Sequence, residues 1–233
     1  MQLFYTDDIL ADICRLSAEE SKHCVRVLRM GVGSEIMVTD GSGVIGKGRI
    51  LDADERDCAV EILERQPDPC RRGYSLHMAV APTKNPARYE WFVEKAVEVG
   101  VDVITPIVCD HSERGSVKTD RLRKLALSAM KQSLKATKTI VDDPMSVMEL
   151  ITSADATQRF IAHCDSETER VPMKEACRPG GSVLVLVGPE GDFSPREIEA
   201  AKAHGFQAVT FGNSRLRTET AALYATMLAS IIN

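Results

Sequence analysis

Between residues 2 and 64 the apolar positions come in short runs that partly alternate with polar ones. SEIMVTD, GKGRILDAD and CAVEILER show this best, and the alternation predicts half-buried strands. SAEESKHCVRVLRM has helical spacing instead. Cys24, Val27 and Leu28 share a face, Ser17 stands at the N-cap, and Glu20 follows three residues later as the second half of a capping box. Short strands around one short helix predict a small β-barrel. QPDPCRRG follows, and its two prolines, arginine pair and glycine give it the composition of an interdomain linker.

From Tyr74 the rhythm becomes strand, helix, strand. SLHMAVAP, VDVITPIV, RFIAHC, SVLVLVG and QAVTFG are apolar runs of strand length. YEWFVEKAVEVG is predicted helical, with Trp91, Phe92, Ala96 and Val99 on its inner side and Gly100 as its cap. DRLRKLALSAMKQSLKA is amphipathic, with Leu122, Leu125, Ala129 and Leu134 facing inward. SPREIEAAKAHG and the apolar TETAALYATMLASIIN are the last two helices. Strands that alternate with helices predict an α/β fold whose mostly parallel sheet is covered on both faces.

A length of 233 residues with 44% hydrophobic content accommodates two domains. No apolar run approaches the ~20 residues that span a bilayer. MQLFYTDDIL lacks the charged start and apolar stretch of a secretory signal, so a cytoplasmic location is expected and no membrane partner. The cysteines Cys14, Cys24, Cys58, Cys70, Cys109, Cys164 and Cys177 are scattered, with no C-x-x-C pair and no histidine at zinc spacing. Inert thiols and no metal site are expected.

The net charge of -5 conceals a polarised chain. Residues 114 to 138 hold Arg114, Lys118, Arg121, Arg123, Lys124, Lys131, Lys135 and Lys138 against Asp120 alone. Lys22, His23, Arg26 and Arg29 form a second basic cluster at helical spacing. Either cluster is a solvated helix face or a phosphate-binding surface.

Two glycine-rich stretches differ in context. GSGVIGKG matches G-x-G-x-x-G through Gly41, Gly43 and Gly46, and also the first seven positions of a phosphate loop. Yet RILDADERD follows it rather than a helix, and Gly48 stands where a magnesium-binding hydroxyl belongs, so DGSG is read as a hairpin turn. GPEGDF, by contrast, ends an apolar strand and starts a helix through Ser194, Pro195 and Glu197. Its glycines, Gly188 and Gly191, are expected to allow positive φ and close backbone approach, with Pro189 stiffening the turn. A second such loop, Phe211 to Arg217, precedes Thr218 and Glu219 at the entry to the last helix. Together they predict a clamp for a neutral or cationic nucleoside-like ligand, because Glu190 and Asp192 would repel phosphate. His163, at the end of a neighbouring strand, is read either as a pocket residue or as a satisfied core histidine.

GPEGDFS, FGNSRLRTETA, AMKQSLKA and the N-terminal LFY with HCVRVLRMGVGSEIMVTDGSG resemble the bacterial ribosomal RNA uridine N3-methyltransferases over nearly the whole chain. These are SPOUT-class enzymes that modify small-subunit (16S) RNA and tie a trefoil knot, a rare topology that no periodicity would reveal. The resemblance implies a PUA-like barrel over 1–70 that helps hold RNA. It implies a knotted methyltransferase domain over 74–233 that binds S-adenosyl-L-methionine and forms a homodimer, with the small ribosomal subunit as partner. Carried over, it places Val187, Gly188, Pro189, Glu190, Gly191, Phe211, Gly212, Leu216, Thr218 and Glu219 at the cofactor. Arg217 becomes the catalytic residue, a fixed cation for a developing uridine anion. Lys22, His23, Arg26, Arg29 and Arg114 become RNA contacts. Glu219 is equally read as a carboxylate that favours a helix N-terminus. Asp192 stands where the family more often has glycine, Phe211 where it has leucine, and Asn213-Ser214 where a proline-arginine pair is common; KATKTIVDDP departs as well. Two other readings stand beside it: a knotted methyltransferase acting on transfer RNA, which would share the cofactor loops, and a non-enzymatic RNA-binding or assembly protein, which would keep the basic faces without needing two intact glycine loops.

Overall fold

The computed structural model describes residues 2–165 and 169–233. The chain divides into two units, Met1–Arg71 with Leu127–Lys138, and Arg72–Ala126 with Thr139–Asn233.

The first unit is one curled sheet of β1 (Leu3–Tyr5), β2 (Ile13–Arg15), β3 (Glu35–Thr39), β4 (Val44–Asp52) and β5 (Ala59–Pro67), in the order β1-β3-β4-β5-β2. Only β1 and β3 pair in parallel. Alternation puts Phe4, Ile36, Val38, Ile50 and Val60 into its core. The DGSG segment is the β3–β4 turn, with Gly41 at φ 82° and Gly43 at φ 94°. A Cβ on Gly48 would lie 2.5 Å from Val60, where β4 and β5 slip register in a bulge.

The helix read from SAEESKHCVRVLRM is shorter and less regular than its spacing predicts. α1 (Ala18–Lys22) passes directly into a π-helical turn over His23–Val27. The wider turn shifts the following side chains around the axis, so Cys24 is buried whereas Val27 is 61% and Leu28 40% exposed. Ser17 caps the Glu20 N–H as expected. The returning half of the predicted capping box is absent: the Glu20 carboxylate accepts the Tyr5 N–H at 3.2 Å and pairs with Lys131.

Lys131 belongs to the second segment of this unit, which no reading along the chain would assign here. Its anchor is Asp68, a buried carboxylate from the stretch read as a linker. Asp68 accepts the Ala136 N–H at 2.8 Å, the Thr137 hydroxyl at 3.0 Å and the Cys70 N–H at 2.8 Å. Ser42 and Thr137 form a β-bridge, and Gly43 N donates to Ala136 O at 2.9 Å.

The second unit is an α/β layer structure. β6 (Tyr74–Val80), β7 (Val103–Val108), β8 (Ile140–Val141), β10 (Gln158–Ala162), β11 (Val171–Pro172), β12 (Gly181–Val187) and β13 (Gln207–Thr210) make a sheet in the order β11-β13-β10-β12-β6-β7-β8, with β9 (Met145–Ser146) paired to β7. Every pairing in it is parallel. The helices are α2 (Pro86–Val99), α3 (Thr119–Gln132), α4 (Val147–Ser153), α5 (Met173–Ala176), α6 (Pro195–Ala203) and α7 (Thr218–Ile232). α7 packs on β6 and β12 and against α2, while α4 and α6 pack together. α3 starts in this unit and ends in the first.

Two predicted inner faces are corrected. On α2 the buried residues are Tyr89, Phe92, Val93, Ala96 and Val97; Trp91 is 44% exposed and Val99 only half-buried, because the helical period puts Trp91 opposite that stripe and Val99 at its margin. Leu134 lies beyond the end of α3 at φ 57°, exposed rather than inward. Among the described residues no helix is long and apolar enough to cross a membrane.

Asp68→Ala leaves the buried Ala136 N–H unpaired. It is expected to cost about 2 to 3 kcal/mol, read as a lower urea midpoint of the first unit, with Asp68→Asn intermediate.

Candidate functional site

β10 lies between β12 and β13, so the segments leaving all three strands meet at one edge of the sheet. In an open parallel sheet this is where ligands bind. Ala162 aligns with both Val187 and Val209, which sets His163 between the GPEGDF turn and the Phe211 loop.

The turn after β12 is fixed on both sides. Pro189 O accepts the Asp192 N–H at 3.0 Å, and Ser194 and Glu197 form the predicted capping box at α6. The second oxygen of Glu197 accepts the Asp110 N–H at 2.8 Å, and the Ser194 hydroxyl donates to Asp110 at 2.6 Å. Gly188 and Gly191 are not at positive φ, contrary to expectation. They are needed for space: a Cβ would lie 3.0 Å from the Phe193 ring at Gly188 and 3.0 Å from His111 at Gly191. The left-handed positions are Asp192, at φ 65°, and Gly212, at φ 116°.

These loops enclose a cavity of about 1080 Å³. Its wall includes nine of the predicted site residues: Val187, Gly188, Pro189, Glu190, Phe211, Gly212, Leu216, Arg217 and Thr218. The Thr218 hydroxyl donates to Gly188 O at 3.2 Å and Arg215 donates to Glu190 O at 3.3 Å, so the two glycine loops are tied together. Phe211 packs on Tyr224, ring centroids 5.5 Å apart. Arg217 is exposed at the start of α7.

Two predicted residues stand off the wall. Gly191 backs onto His111, whose Nδ1 donates to the carbonyls of Gly191 and Asp192 at 3.1 and 3.2 Å. Glu219 is buried and faces Arg88 at 3.7 Å, a partner that sequence spacing does not reveal. Glu190 keeps its carboxylate on the Lys84 N–H at 3.0 Å. Cys164, Asp165, Arg170 and Asp192 join the wall without having been predicted to. Each follows or faces the end of β10, which the hydrophobic pattern marks, but no glycine motif flags it.

His163 decides between its two readings. It lines the cavity and is only 4% exposed, yet among the described residues neither ring nitrogen has a hydrogen-bond partner. It is therefore not a satisfied core histidine. Burial holds its pKa below the ordinary range; Asp192 opposes that shift and Arg170 reinforces it.

The candidate RNA residues divide between the units. Lys22 at the end of α1, Arg26 in the π-helical turn and Arg29 after it are exposed, and His23 is half-buried, 6.1 Å from the Phe4 ring. Arg114 is exposed in the second unit. The basic run is not one face. Arg121 pairs with Glu90, Arg123 with Asp120 and Asp143, and Lys131 with Glu20, while Lys138 lies over the Tyr5 ring. Burial raises the thiols of Cys14, Cys24, Cys58, Cys109 and Cys177, that of Cys58 to about 12, which leaves them inert. No cluster able to hold a metal occurs among the described residues.

Comparison with known proteins gives this geometry a context. The RNA methyltransferase domain matches residues 71–230, and the RNA methyltransferase PUA domain matches residues 16–63. The chain belongs to the RNA methyltransferase family. Ribosomal RNA small subunit methyltransferase E of Aquifex aeolicus is 30% identical over 229 residues, 96% of each chain. A probable rRNA-methyltransferase from Porphyromonas gingivalis superposes with a TM-score of 0.93 at 40% identity, covering 100% of this chain and 98% of that one. Ribosomal RNA small subunit methyltransferase E from Neisseria gonorrhoeae, solved bound to S-adenosyl methionine, superposes with a TM-score of 0.86 at 26% identity over 97% and 95% of the chains. The cavity thus lies wholly inside the part of the chain that matches the family's RNA methyltransferase domain.

For this family member, the unpartnered imidazole makes stability pH-dependent. The unfolded chain takes up the His163 proton near pH 6.5, whereas the folded chain resists it. This contribution is present above about pH 6.5 and is lost as pH falls through that value toward the folded pKa, at up to about 1.4 kcal/mol per unit of difference. His77, also held low by burial, acts the same way. Denaturant midpoints of His163→Gln should therefore fall less steeply than wild type between about pH 7 and pH 5; equal slopes would contradict the assignment.

Proposed function

We propose that the chain transfers the methyl group of S-adenosyl-L-methionine to N3 of a uridine in 16S ribosomal RNA. The observation that carries this reading is the cavity: two glycine loops tied at Thr218, a buried histidine without hydrogen-bond partners among the described residues, and an exposed arginine at one edge. The sequence resemblance to the uridine N3-methyltransferases, the gonococcal relative's bound S-adenosyl methionine and the names of the relatives support it.

The residues present fit such a ligand. A cavity of about 1080 Å³ is large enough for a nucleoside-sized cofactor. Gly188 and Gly212 let backbone approach the ligand; Val187, Phe211 and Leu216 supply apolar wall; Asp165, Glu190 and Asp192 stand on the wall beside Arg170, Arg215 and Arg217, a mixed-charge lining that suits a ligand carrying both a cation and a carboxylate. When bound, the sulfonium cofactor supplies an already electrophilic methyl group.

The chain's own work is then positioning and electrostatics. N3 lies on the pairing edge of uracil and carries a proton, so the base must be unpaired and lose that proton. Arg217 stands at the cavity edge, where its fixed positive charge favours the imide anion. In-line placement between the tied loops supplies much of the remaining acceleration. Residues 1–70 serve to hold RNA through Lys22, His23, Arg26 and Arg29, residues 74–233 carry the transfer and the knot, and Arg114 adds a phosphate contact. The exposed apolar residues Trp91 on α2 and Tyr224, Met227 and Ile231 on α7 support a homodimer through the second unit.

Calorimetric titration with S-adenosyl-L-methionine should show binding by the wild type and none by Gly188→Val, whose side chain must displace Phe193. Arg217→Ala should retain that binding while transfer to 16S RNA falls by roughly 10² to 10³-fold. Arg217→Ala with unchanged turnover would remove its catalytic role. Arg26→Glu with Arg29→Glu should weaken RNA binding and flatten its salt dependence by about two phosphate contacts; unchanged affinity would exclude that face.

A further inference from the structure

The Asp192 carboxylate reaches from the GPEGDF turn to the exit of β10, where its Oδ2 accepts the Cys164 N–H at 2.7 Å. Its other oxygen, Oδ1, accepts the Phe193 N–H at 2.9 Å. The backbone of the same residue is fully used, since its N–H donates to Pro189 O at 3.0 Å and its carbonyl accepts from His111 at 3.2 Å. It adopts φ 65°, a left-handed conformation that glycine takes freely and that aspartate takes only at a cost. A strained non-glycine residue persists where its surroundings over-determine it, and such residues concentrate at functional sites. Here four hydrogen bonds hold it, and both segments it joins line the cavity.

We infer that Asp192 is a positioning residue of the methyl-donor cavity: its carboxylate fastens the His163–Asp165 exit of β10 to the turn after β12, fixing the wall shared by the two. The inference rests on the cavity being the S-adenosyl-L-methionine site. It follows from connectivity. Thr218 ties the turn to the Phe211 loop, Asp192 ties it to the β10 exit, and the turn becomes the hub on which the three wall segments are set. Preorganisation of this kind acts on ligand affinity, because a wall already in place loses no further freedom on binding. A glycine at this position would satisfy the backbone but leave the Cys164 N–H without its acceptor.

Asp192→Gly and Asp192→Asn separate tether from backbone. Glycine removes the conformational cost and both acceptors; asparagine tolerates the left-handed conformation and keeps one acceptor oxygen. Hydrogen exchange of the Cys164 amide should accelerate about tenfold or more in Asp192→Gly, while the Val185 amide within β12 stays protected. Affinity for S-adenosyl-L-methionine by calorimetry should fall about tenfold in Asp192→Gly, with Asp192→Asn between it and wild type and with little change in the unfolding midpoint of the ligand-free protein. Wild-type exchange at Cys164 together with wild-type affinity in Asp192→Gly would overturn the inference. Equal loss of affinity in both variants would overturn it too, since the retained acceptor would then be irrelevant. If the wild type itself binds no S-adenosyl-L-methionine, the reading of the cavity fails, and the Cys164 exchange still reports whether the tether exists. Should Asp192→Gly not fold, Asp192→Asn carries the same two measurements.

Discussion

The second unit depends on where β12 enters the sheet. It pairs in parallel with β6 along its full length, Gly181 beside Tyr74 through Val187 beside Val80, and with β10 on its other edge from Val183 to Val187. At this edge the sheet departs from chain order: β10 is flanked by β12 and β13, and β12 by β10 and β6. That order brings three strand ends to one place. The binding site is thus a consequence of strand order more than of any single motif.

Around that edge the polar groups are used economically. Glu197 serves the α6 cap and the Asp110 N–H with its two oxygens, and Thr218 closes the gap between the glycine loops. The conspicuous exception is His163, which stands inside this well-bonded frame with neither nitrogen engaged by any described residue. An unmet polar group of that kind costs free energy in the ligand-free protein. Sites under functional constraint are where such costs are tolerated.

What the sequence discloses and what it conceals divide along physical lines. Strand runs such as VLVLV, the capping box at Ser194 and the hairpin turn at DGSG were legible because each rests on local chemistry. Nine of the cofactor-loop and catalytic candidates lie on the cavity because glycine loops at strand ends are local signals too. Glu219 was ambiguous for the opposite reason, since its partner Arg88 is far away in sequence. Cys24, Val27 and Leu28 misled because a π-turn changes the period that the eye assumes. Gly188 and Gly191 were read as conformational glycines, but their constraint is the room taken by Phe193 and His111, and only coordinates show it. Asp192, read from the resemblance as standing in a glycine's place, occupies a left-handed position that glycine adopts freely.

The division of the chain has a consequence for biosynthesis. Residues 1–71 leave the ribosome first and contain every strand of the first sheet, yet Asp68 finds its partners Ala136 and Thr137 only after about half of the chain has been made. Until then a carboxylate destined for burial stays hydrated, and the first unit lacks the segment that completes it. Synthesis from the N-terminus does not therefore imply independent completion in that order. The first unit gains its last segment only when residues 127–138 have been made, so a fragment cut at the apparent linker would lack the partners of Asp68.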